Sequence, residues 1–593
     1  MKNANGTDLK VYILLCIVLL WAMLLKAENN GDSNSNGLNN VIHRDIVSDI
    51  QQTMRSQPYL GRVYPLIFRE GKTEAKIADL DQDFSDWKGN IIADINIVQR
   101  DVFVISESLK SIPLYLSILR FGNWLQPQTR IKRIKSNLFF AEGDSLNPDY
   151  LISNLHYLYD LGLYSELEFD LHETEDNQVR VNLALREKFF ILLSAKYVED
   201  DEIRFRILDR NFLGLGNSLI FNWYLNPRDR EYLGWESSYT DPNIFGTFIK
   251  GDFRYQKQKG KEELELGLLR DFLFPLFRDF GGLDFGYSKS GPPRDSISVQ
   301  KNEYGAWYAR AFSTLDYPHY LYSAVSGQAR QHQQRPSGIA WQDAVLGLAA
   351  LGYAGSEYHY IPGLSSFLDS DYVPMGHFLQ AMAGYEFGET RSRPFLGLQA
   401  AGAWYGAQGD YLYGQFALDG FLRDGKAEQA FVAFEPVYIS PNRTLGQYVG
   451  RSLITARAVK SIKALSTQKF KLSDDQFFRD GKDLQGTDIL SLGMEEDVNT
   501  PFQIFGFQLS AFAFLDLAVV DDDTAQMKSR NSLFSQGLGL RLRNPSLIWD
   551  FIEVRLALQF LNSGEPRMAA SVNVNPTRIL SDFRGRRPKP YLY

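Results

Sequence analysis

From Lys188 onward, apolar and polar side chains alternate along the chain with a period of two residues. A period of two is the repeat of a β-strand, because successive side chains point to opposite faces of a sheet. In the clearest run, the apolar face carries Phe507, Leu509, Ala511, Ala513, Leu515, Leu517 and Val519. The opposite face carries Gln508, Ser510, Phe512, Phe514, Asp516 and Ala518. The run therefore predicts a long strand with one apolar face and one more polar face.

The same alternation recurs in other runs. One face of a later run carries Ile552, Val554, Leu556, Leu558 and Phe560, opposite Glu553, Arg555 and Gln559. Over residues 537–543, glycine and arginine alternate with Leu538, Leu540 and Leu542. A sheet with lipid outside and a water-filled lumen inside requires this arrangement. A soluble β-sandwich produces a similar alternation and remains the alternative.

We therefore expect a transmembrane antiparallel β-barrel over residues 189–576. At roughly 25 residues per strand and connection, this length gives about sixteen strands, an even number as in bacterial barrels. The first strand is expected near Phe189–Tyr197 and the last near Arg567–Asn575, which leaves a basic tail over 577–593.

Composition agrees with a barrel and excludes two other classes. The apolar fraction is 44 %, but the mean hydropathy of −0.25 is too low for a helical membrane protein. Aromatic residues make up 14 % of the chain, which suits strands and interfacial aromatic girdles. The net charge of −8 and the lack of a basic face argue against nucleic-acid binding.

The first 27 residues resemble an export signal. Lys2 and Lys10 precede an apolar run from Val11 to Leu25, and Ala27 supplies a small residue for cleavage. The run is shorter than the roughly 20 residues that span a bilayer. An uncleaved N-terminal anchor remains the alternative. The only cysteine, Cys16, lies within this run, so the mature chain would have no thiol in the oxidising periplasm.

Between the signal and the barrel, the sequence predicts a linker and a small α+β domain. Residues 28–40 are rich in Asn, Gly and Ser and predict a disordered tether, whereas 41–88 remain unassigned. Over 89–188 the order is strand, two helices, two strands. Asn147 and Pro148 supply a helix N-cap and first turn, and Gly162 ends that helix.

Both parts resemble one known superfamily, the BamA/TamA-type outer-membrane assembly factors, which join POTRA domains to a bacterial surface antigen barrel. The POTRA resemblance covers residues 123–188 and is strongest in Leu138–Leu171 (LFFAEGDSLNPDYLISNLHYLYDLGLYSELEFDL). Arg210–Leu219 (RNFLGLGNSL) and Tyr239–Gly246 (YTDPNIFG) resemble the opening strands of the barrel. Altogether the resemblance spans about residues 90–576.

The resemblance also implies a loop that folds into the lumen and carries an arginine to acidic residues on the inner wall. The best positional match is Phe478, Arg479, Asp480 and Gly481, with Glu495 and Asp516 on the polar faces of the following strands. This chain has Arg-Asp-Gly where the superfamily has Arg-Gly-aromatic. A second FLRDG at residues 421–425 competes for the role, with Arg423 as its arginine.

The sequence predicts no enzyme and no cofactor. The motifs HExxH, GxSxG, the P-loop and GxGxxG are missing, and the seven histidines are not spaced as metal ligands. By resemblance, the chain inserts or translocates proteins at the outer membrane, with its N-terminal domain in the periplasm. The expected partners are unfolded outer-membrane or secreted client proteins, the lipid bilayer and periplasmic accessory proteins. A secretion or transport pore for one dedicated protein or lipid remains the alternative, and a barrel lipase is a more distant one.

Overall fold

The computed structural model describes most of the chain from Asp83 onward. The described residues are 83–103, 113–198, 202–226, 233–258, 260–291, 298–312, 317–336, 341–361, 364, 372–465, 468–472, 484–504, 506–524, 527–547, 551–562, 564–574 and 580–591. The predicted export signal and tether lie outside these ranges.

The first described unit is an α+β domain. Its elements are β1 (Ile92–Arg100), α1 (Pro113–Leu125), α2 (Ile131–Lys135), α3 (Pro148–Asp160), β2 (Tyr164–Glu173) and β3 (Val179–Glu187), preceded by a 3₁₀ turn at Ser85–Trp87. The sheet order is β1-β3-β2, with β1 parallel and β2 antiparallel to β3. Helix α1 lies in a stretch for which the sequence predicts no element.

Local sequence fixes the longest buried helix of this domain. The Asn147 side chain accepts a hydrogen bond from the backbone N–H of Asp149 at 3.0 Å, and Pro148 fills the first turn. Gly162 adopts φ 65° just after the helix, where a side chain would be strained. The buried face of α3 packs on the apolar face of the sheet and contributes Leu151, Leu155 and Leu158.

The rest of the described chain forms one large antiparallel sheet. Its strands are β4 (Ile191–Val198), β5 (Glu202–Asp209), β6 (Ser218–Leu225), β7 (Leu233–Asp241), β8 (Lys250–Gln258), β9 (Lys261–Arg270), β10 (Asp279–Ser290), β11 (Val299–Phe312), β12 (Tyr320–Gln334), β13 (Ala344–Tyr360), β14 (Tyr372–Gly388), β15 (Ser392–Tyr405), β16 (Tyr411–Arg423), β17 (Lys426–Ile439), β18 (Arg443–Leu445), β19 (Tyr448–Ile462), β22 (Asp488–Ile504), β23 (Phe507–Thr524), β24 (Met527–Arg543), β25 (Phe551–Leu561) and β26 (Arg567–Val574). The short strands β20 (Phe470–Lys471) and β21 (Gln485–Gly486) pair with each other in the β19–β22 connection.

The strand order of this sheet returns on itself and places β26 next to β4. We call the sheet the barrel and its inside the lumen. Each long strand shares a residue-by-residue ladder with the next, but the described residues contain no such ladder between β4 and β26. We call the β4–β26 junction the seam. In the part of the chain that the structure describes, no ladder of hydrogen bonds therefore closes the sheet at the seam.

The barrel contains more strands than the sequence predicts. Twenty-one described strands belong to it, one of them the three-residue β18, so the expected number of about sixteen was wrong. The estimate failed because β4 to β9 are only 8–10 residues long and follow each other through short connections. The strands far from the start are much longer, with 17, 18 and 17 residues in β22, β23 and β24.

The polarity of the barrel is inverted relative to a soluble protein. Its outer face exposes large apolar side chains on nearly every strand, among them Leu193, Phe253, Leu283, Val325, Leu351, Leu396, Leu418, Leu490, Leu540 and Leu556. Its lumen buries charged side chains, among them Glu386, Arg393, Asp419, Arg451, Arg457, Glu495, Asp497, Asp516, Arg541, Glu553 and Arg555. Lipid outside and water inside stabilise this distribution, whereas water on both sides does not.

Among the described residues, no helix combines the length and the apolar character needed to cross a membrane.

Candidate functional site

The α+β domain lies against one end of the barrel, which we call the proximal end. Strand β4 begins directly after this domain, so the turns that follow β5 and β7 lie at the same end. These two turns are residues 210–217 and 242–249, and they contain the two sequence motifs that resemble assembly barrels. We call the contact between these turns and the domain the joint.

The first turn of the joint is built around a buried asparagine. The Asn211 side-chain oxygen accepts from the Gly216 N–H at 2.7 Å, which closes the turn. Its amide donates to Thr129 Oγ1 at 3.0 Å and to the Pro127 carbonyl at 3.3 Å, both in the domain. Gly214 adopts φ 70°, and a Cβ there would lie 2.7 Å from the Gln128 carbonyl oxygen. The turn therefore needs glycine at this point of contact.

The second turn repeats the same geometry. The Asn243 side-chain oxygen accepts from the Phe248 N–H at 2.6 Å, and its amide donates to Asn137 Oδ1 at 2.8 Å and to the Ser136 carbonyl at 2.9 Å. In each turn, an aspartate two residues earlier accepts from the asparagine N–H, at 2.9 Å in both cases. These aspartates are Asp209 and Asp241. The two motifs are thus one structural device used twice.

A single arginine of the domain contacts both turns. Arg133, on α2, forms an ion pair with Asp241 and donates to Asn217 Oδ1 at 3.1 Å and to the Asn243 carbonyl. Buried amides and a charge-assisted contact leave the domain little freedom to rotate, because each broken bond would strand a buried polar group. The joint fixes the domain over the proximal mouth of the barrel.

The lumen wall on β22 to β25, close to the seam, carries an ionic network. Arg541 contacts Glu495 at 2.6 Å, Asp497 at 2.8 Å and Glu553 at 2.9 Å, and its guanidinium lies 3.7 Å from the centre of the Phe512 ring. The Arg541 side chain is 1 % exposed. Removing one partner of such a buried network is strongly destabilising, because the remaining charges stay desolvated.

A second arginine of the lumen wall also combines a carboxylate contact with an aromatic ring. Arg555 contacts Asp516 at 3.0 Å and lies 3.7 Å from the centre of the Phe514 ring. The two aromatic rings fit because β24 has glycine opposite each of them. A Cβ at Gly539 would lie 2.1 Å from the Phe512 ring, and one at Gly537 would lie 2.7 Å from the Phe514 ring. The glycines of the 537–543 run therefore leave room for the Phe512 and Phe514 rings, each of which lies beside an arginine guanidinium.

The structure places the residues predicted for the inner loop and its wall as follows. Glu495 and Asp516 are buried on the lumen face, where Arg541 and Arg555 contact them. Phe478, Arg479, Asp480 and Gly481 lie outside the described residues. The described flanks of that loop point inward: Phe470 and Leu472 are buried, and Lys469 forms an ion pair with Asp522.

The competing motif at residues 421–425 has a different setting. Asp424 and Gly425 form the two-residue turn between β16 and β17, with φ 50° and 72°. The Arg423 side chain is 45 % exposed and contacts its neighbour Asp424. Phe421 is buried under the guanidinium of Arg393. This motif is a β-hairpin turn with its own local contacts.

The tail beyond β26 lies inside the lumen, a placement that the sequence does not predict. Its described residues, 580–591, run along the wall formed by β10 and β12–β17 as an extended chain without ladder pairing. Phe583 is buried and packs on Tyr413, and Gly585 N–H donates to the Tyr320 hydroxyl at 2.9 Å. Farther along, Tyr591 N–H donates to Asp419 Oδ2 at 2.8 Å. In the strand order, this wall lies opposite the seam.

The tail also contacts the α+β domain. Arg584 forms an ion pair with Asp160 of α3 at 3.0 Å and another with Asp582. Burial raises the pKa of Asp160 to about 6, and Arg584 acts in the opposite direction. Burial and the same guanidinium lower the pKa of His156 to about 3, so this histidine stays neutral. The domain, the proximal mouth and the tail therefore share one polar contact region.

The arginine network, the repeated joint and the lumen course of the tail were not predicted as functional features. The first two left signals in the sequence: arginines on the polar faces of late strands, and a repeated Asp-x-Asn before a glycine-containing turn. The tail left only its basic and aromatic composition. Within the described part of the chain, no group of three or more His, Cys, Asp or Glu side chains is arranged to hold a metal ion.

Solved structures with a similar course of the chain include two kinds of protein. BamA from Haemophilus ducreyi, lacking POTRA domains 1–3, matches 81 % of this chain and 85 % of its own, at 11 % identity and a TM-score of 0.34. CdiB from Acinetobacter baumannii matches 91 % and 99 %, at 12 % identity and a TM-score of 0.37. CdiB from Escherichia coli matches 92 % and 98 %, at 10 % identity and a TM-score of 0.34.

BamA, after which the superfamily suspected from the sequence is named, is one of these structures. No family model matches the chain, and no curated protein matches it. At these identities and TM-scores, what the chain does has to be inferred from its own residues.

Proposed function

We propose that this chain resides in the outer membrane and inserts or translocates other proteins there, with its α+β domain, a POTRA domain, in the periplasm. The observation that carries the proposal is a barrel with an apolar exterior and a charged lumen, whose first and last strands share no described ladder. A membrane barrel normally pairs every strand, since each unpaired backbone group in hydrocarbon costs several kcal/mol. A junction of two short strands is where opening costs least.

The seam residues support this role. Strands β4 and β26 have eight residues each, and β26 has no buried residue. Beside the seam, at the proximal end, an isolated bridge joins Phe189, just before β4, to Leu547 in the β24–β25 turn, and the Phe189 N–H donates to the Ser546 carbonyl at 2.6 Å. An incoming strand would add to the free edge of the seam through backbone hydrogen bonds, which do not require a fixed sequence.

The α+β domain supplies a place where an unfolded client is received first. Strand β2 is an edge strand, and its ladder among the described residues is with β3 alone. An extended client can add to such an edge by β-augmentation. Because the joint fixes the domain to β5 and β7, a client held on β2 stays close to the barrel mouth. Periplasmic accessory proteins would bind the same domain.

The inner loop completes the proposal. We propose that Arg479 reaches the lumen wall beside Glu495 and Asp516, and that Phe478, Asp480 and Gly481 shape the loop around it. The inward course of Phe470 and Leu472 supports this placement. A guanidinium suits such a wall because its planar fork can bind two carboxylate oxygens at once. The proposed activity needs no cofactor and no covalent chemistry.

The test is a covalent lock across this bridge, which ties the start of β4 to the β24–β25 turn beside the seam and so restrains movement of β4. The double variant Phe189→Cys/Leu547→Cys should support client assembly when reduced and lose it when oxidised. The control is Leu398→Cys/Leu418→Cys, a pair on the outer face of β15 and β16 that is already joined by a ladder. We expect the folded amounts of other outer-membrane proteins to fall only with the oxidised seam pair. Unchanged amounts after both depletion and locking would rule out the proposed insertion function.

A secretion or transport pore is the second candidate, and the charged, water-compatible lumen favours it. In that case depletion would abolish export of one partner and leave the other outer-membrane proteins folded. Comparing the outer-membrane proteome with the secreted proteins of the same depleted cells separates the two functions.

A further inference from the structure

The lumen wall on β12–β16 binds the backbone of the tail. Three wall side chains donate to tail carbonyls: Ser326 to Pro588 at 2.7 Å, Gln380 to Arg586 at 2.9 Å and Gln399 to Lys589 at 3.3 Å. Three tail N–H groups donate to side-chain oxygens of the wall, which belong to Ser356, Tyr320 and Asp419. Backbone contacts on this scale recognise an extended chain largely irrespective of its side chains. We call these six residues the track.

Side-chain contacts add a preference to the track. The Phe583 ring is fully buried beside Tyr413, and the Arg586 guanidinium lies 4.6 Å from the centre of the Phe378 ring. Arg587 forms an ion pair with Asp284. The sites therefore accept an aromatic side chain followed by two cations.

The far end of the tail occupies a second aromatic site. Tyr591 packs on Phe431 and Phe470, with ring centres 4.8 Å and 6.0 Å apart, and its hydroxyl donates to Glu435 at 2.8 Å. Phe470 belongs to the described flank of the inner loop. The tail thus reaches from the α+β domain at the proximal end to the flank of the inner loop, in the connection between β19 and β22.

Leaving the track would break no strand pairing. The tail has no ladder with any described strand, so its removal exposes side chains to lumen water and leaves every sheet hydrogen bond in place. The wall groups that bind the tail backbone, including the buried Gln380 and Asp419, are polar and compatible with water, whereas its aromatic side chains pack on the rings of Tyr413, Phe431 and Phe470. A tail held this way can exchange with another segment of similar chemistry.

We infer that the track is a binding site for extended peptide segments that carry an aromatic residue, a pair of cations and a second aromatic residue, and that the tail occupies it in cis. The inference rests on the proposed function for its biological meaning, because it identifies the class of client segment that passes through the lumen. Binding itself is a property of the purified barrel.

The test uses the full chain with a weakened tail. In Phe583→Ala/Tyr591→Ala, the tail loses both aromatic anchors, and a fluorescent synthetic peptide of residues 578–593 should bind in a saturable way. Unaltered protein should bind it at least about tenfold more weakly, a difference of 1.4 kcal/mol, because its own tail competes. Lys589→Ala is the control, since that side chain is exposed and its carbonyl still accepts from Gln399. A peptide of the same composition in scrambled order should not bind.

A second variant covers the case in which the double substitution alters folding. A chain ending at Val574 lacks the tail entirely, and its folding is checked by heat-modifiable gel mobility. It should bind the same peptide, and Gln380→Leu/Asp419→Asn in this background should reduce binding. Equal binding to the unaltered and tail-less proteins, or equal binding of scrambled peptide, would overturn the inference. Peptide binding combined with an unchanged outer-membrane proteome after depletion would instead reject only the proposed function.

Discussion

Arg541 holds together more buried charge than any other cation described in the lumen wall. Its three carboxylate contacts come from β22 and β25, and the ring below it comes from β23, so one side chain connects four strands. The period-two pattern placed Arg541 on the polar face. It could not identify its partners, because these depend on the register between strands.

Replacing Arg541 by alanine should destabilise the barrel by about 3–5 kcal/mol, since the three carboxylates lose a guanidinium but stay desolvated. Lysine should restore only part of this stability, because a single ammonium cannot match the planar fork. The midpoint of heat-modifiable gel mobility measures the effect. Arg423→Ala, in an exposed hairpin, should change it little. Equal shifts for both variants would contradict the buried network.

Gly539 provides a second test at this scale. In Gly539→Ala, the new methyl group occupies the position of the Phe512 ring, and the ring must leave its seat beside Arg541. We expect a loss of about 1–3 kcal/mol, the usual cost of overpacking. Gly347→Ala is the matched control, because the structure places no atom within 4 Å of the added Cβ. Urea unfolding in detergent, compared between the two variants, gives the difference.

At the scale of elements, the two turns of the joint show how much a sequence resemblance can reveal. The motifs around Asn211 and Asn243 were identified from the sequence as opening strands of a barrel. Their docking on the domain was not predicted, because nothing in one chain's sequence says that Asn243 and Asn137 meet. The element order of the domain was predictable, since Asn147, Pro148 and Gly162 determine helix ends locally.

Asn243→Ala should loosen the joint. The substitution removes the hydrogen-bond partner of the Phe248 N–H and of the Asn137 side chain. This loss costs about 1–3 kcal/mol per buried group. Hydrogen exchange of the turn at 242–249 should speed up, and the long strands should be unaffected. Asn302→Ala, on β11, serves as control. If the hydrogen-exchange protection of the turn stays unchanged, Asn243 does not stabilise the turn.

The contact between α3 and the tail should depend on pH. Burial in this contact raises the pKa of Asp160 from 3.8 to about 6, although Arg584 acts against the shift, so the seated tail favours the protonated carboxyl. Anchoring is therefore strongest below about pH 4 and weakens as the pH rises through about 6, because the buried carboxyl must then give up its proton. The groups facing Asp160 are Arg584, Asp582, Asp271 and Tyr358, and its own helix adds His156, which stays neutral.

A nitroxide on Lys589→Cys reports this loosening as increased mobility in electron paramagnetic resonance spectra as the pH rises from about 5 to about 7. Asp160→Asn should abolish the pH step, because no carboxyl remains to titrate. The α+β domain should not lose stability in this variant, since the raised pKa means that burial penalises the charged form. A step that persists in Asp160→Asn would assign the pH dependence to another group.

At the scale of the whole molecule, the sequence predicted the inverted polarity and the position of the last strand, Arg567–Val574 in the structure. It predicted too few strands, because the assumed length of roughly 25 residues per strand and connection fits β22–β24 better than the shorter β4–β9. It made no prediction of where the tail lies, since a basic segment after the last strand carries no signature of a lumen. The cations of the tail instead find specific partners inside the barrel, Asp284 for Arg587 and the Phe378 ring for Arg586.

Ion flow through purified protein tests the arrangement of the whole barrel. A chain ending at Val574 should show a larger single-channel conductance in a planar bilayer than the unaltered chain, because the tail narrows the lumen. Lys589→Ala should behave like the unaltered chain. Identical conductance with and without the tail would mean that it does not obstruct the path of ions.

The breadth of the wall that holds the tail has a consequence for biogenesis. Hydrogen bonds and ion pairs reach residues 583–591 from seven strands, β10 and β12–β17, and the outermost contacts, Asp284 and Glu435, lie 151 positions apart along the polypeptide. A slip of one residue in any of these hairpins would turn the corresponding donor or acceptor toward lipid. Correct seating of the tail would therefore depend on, and so report, the correct register of all seven strands.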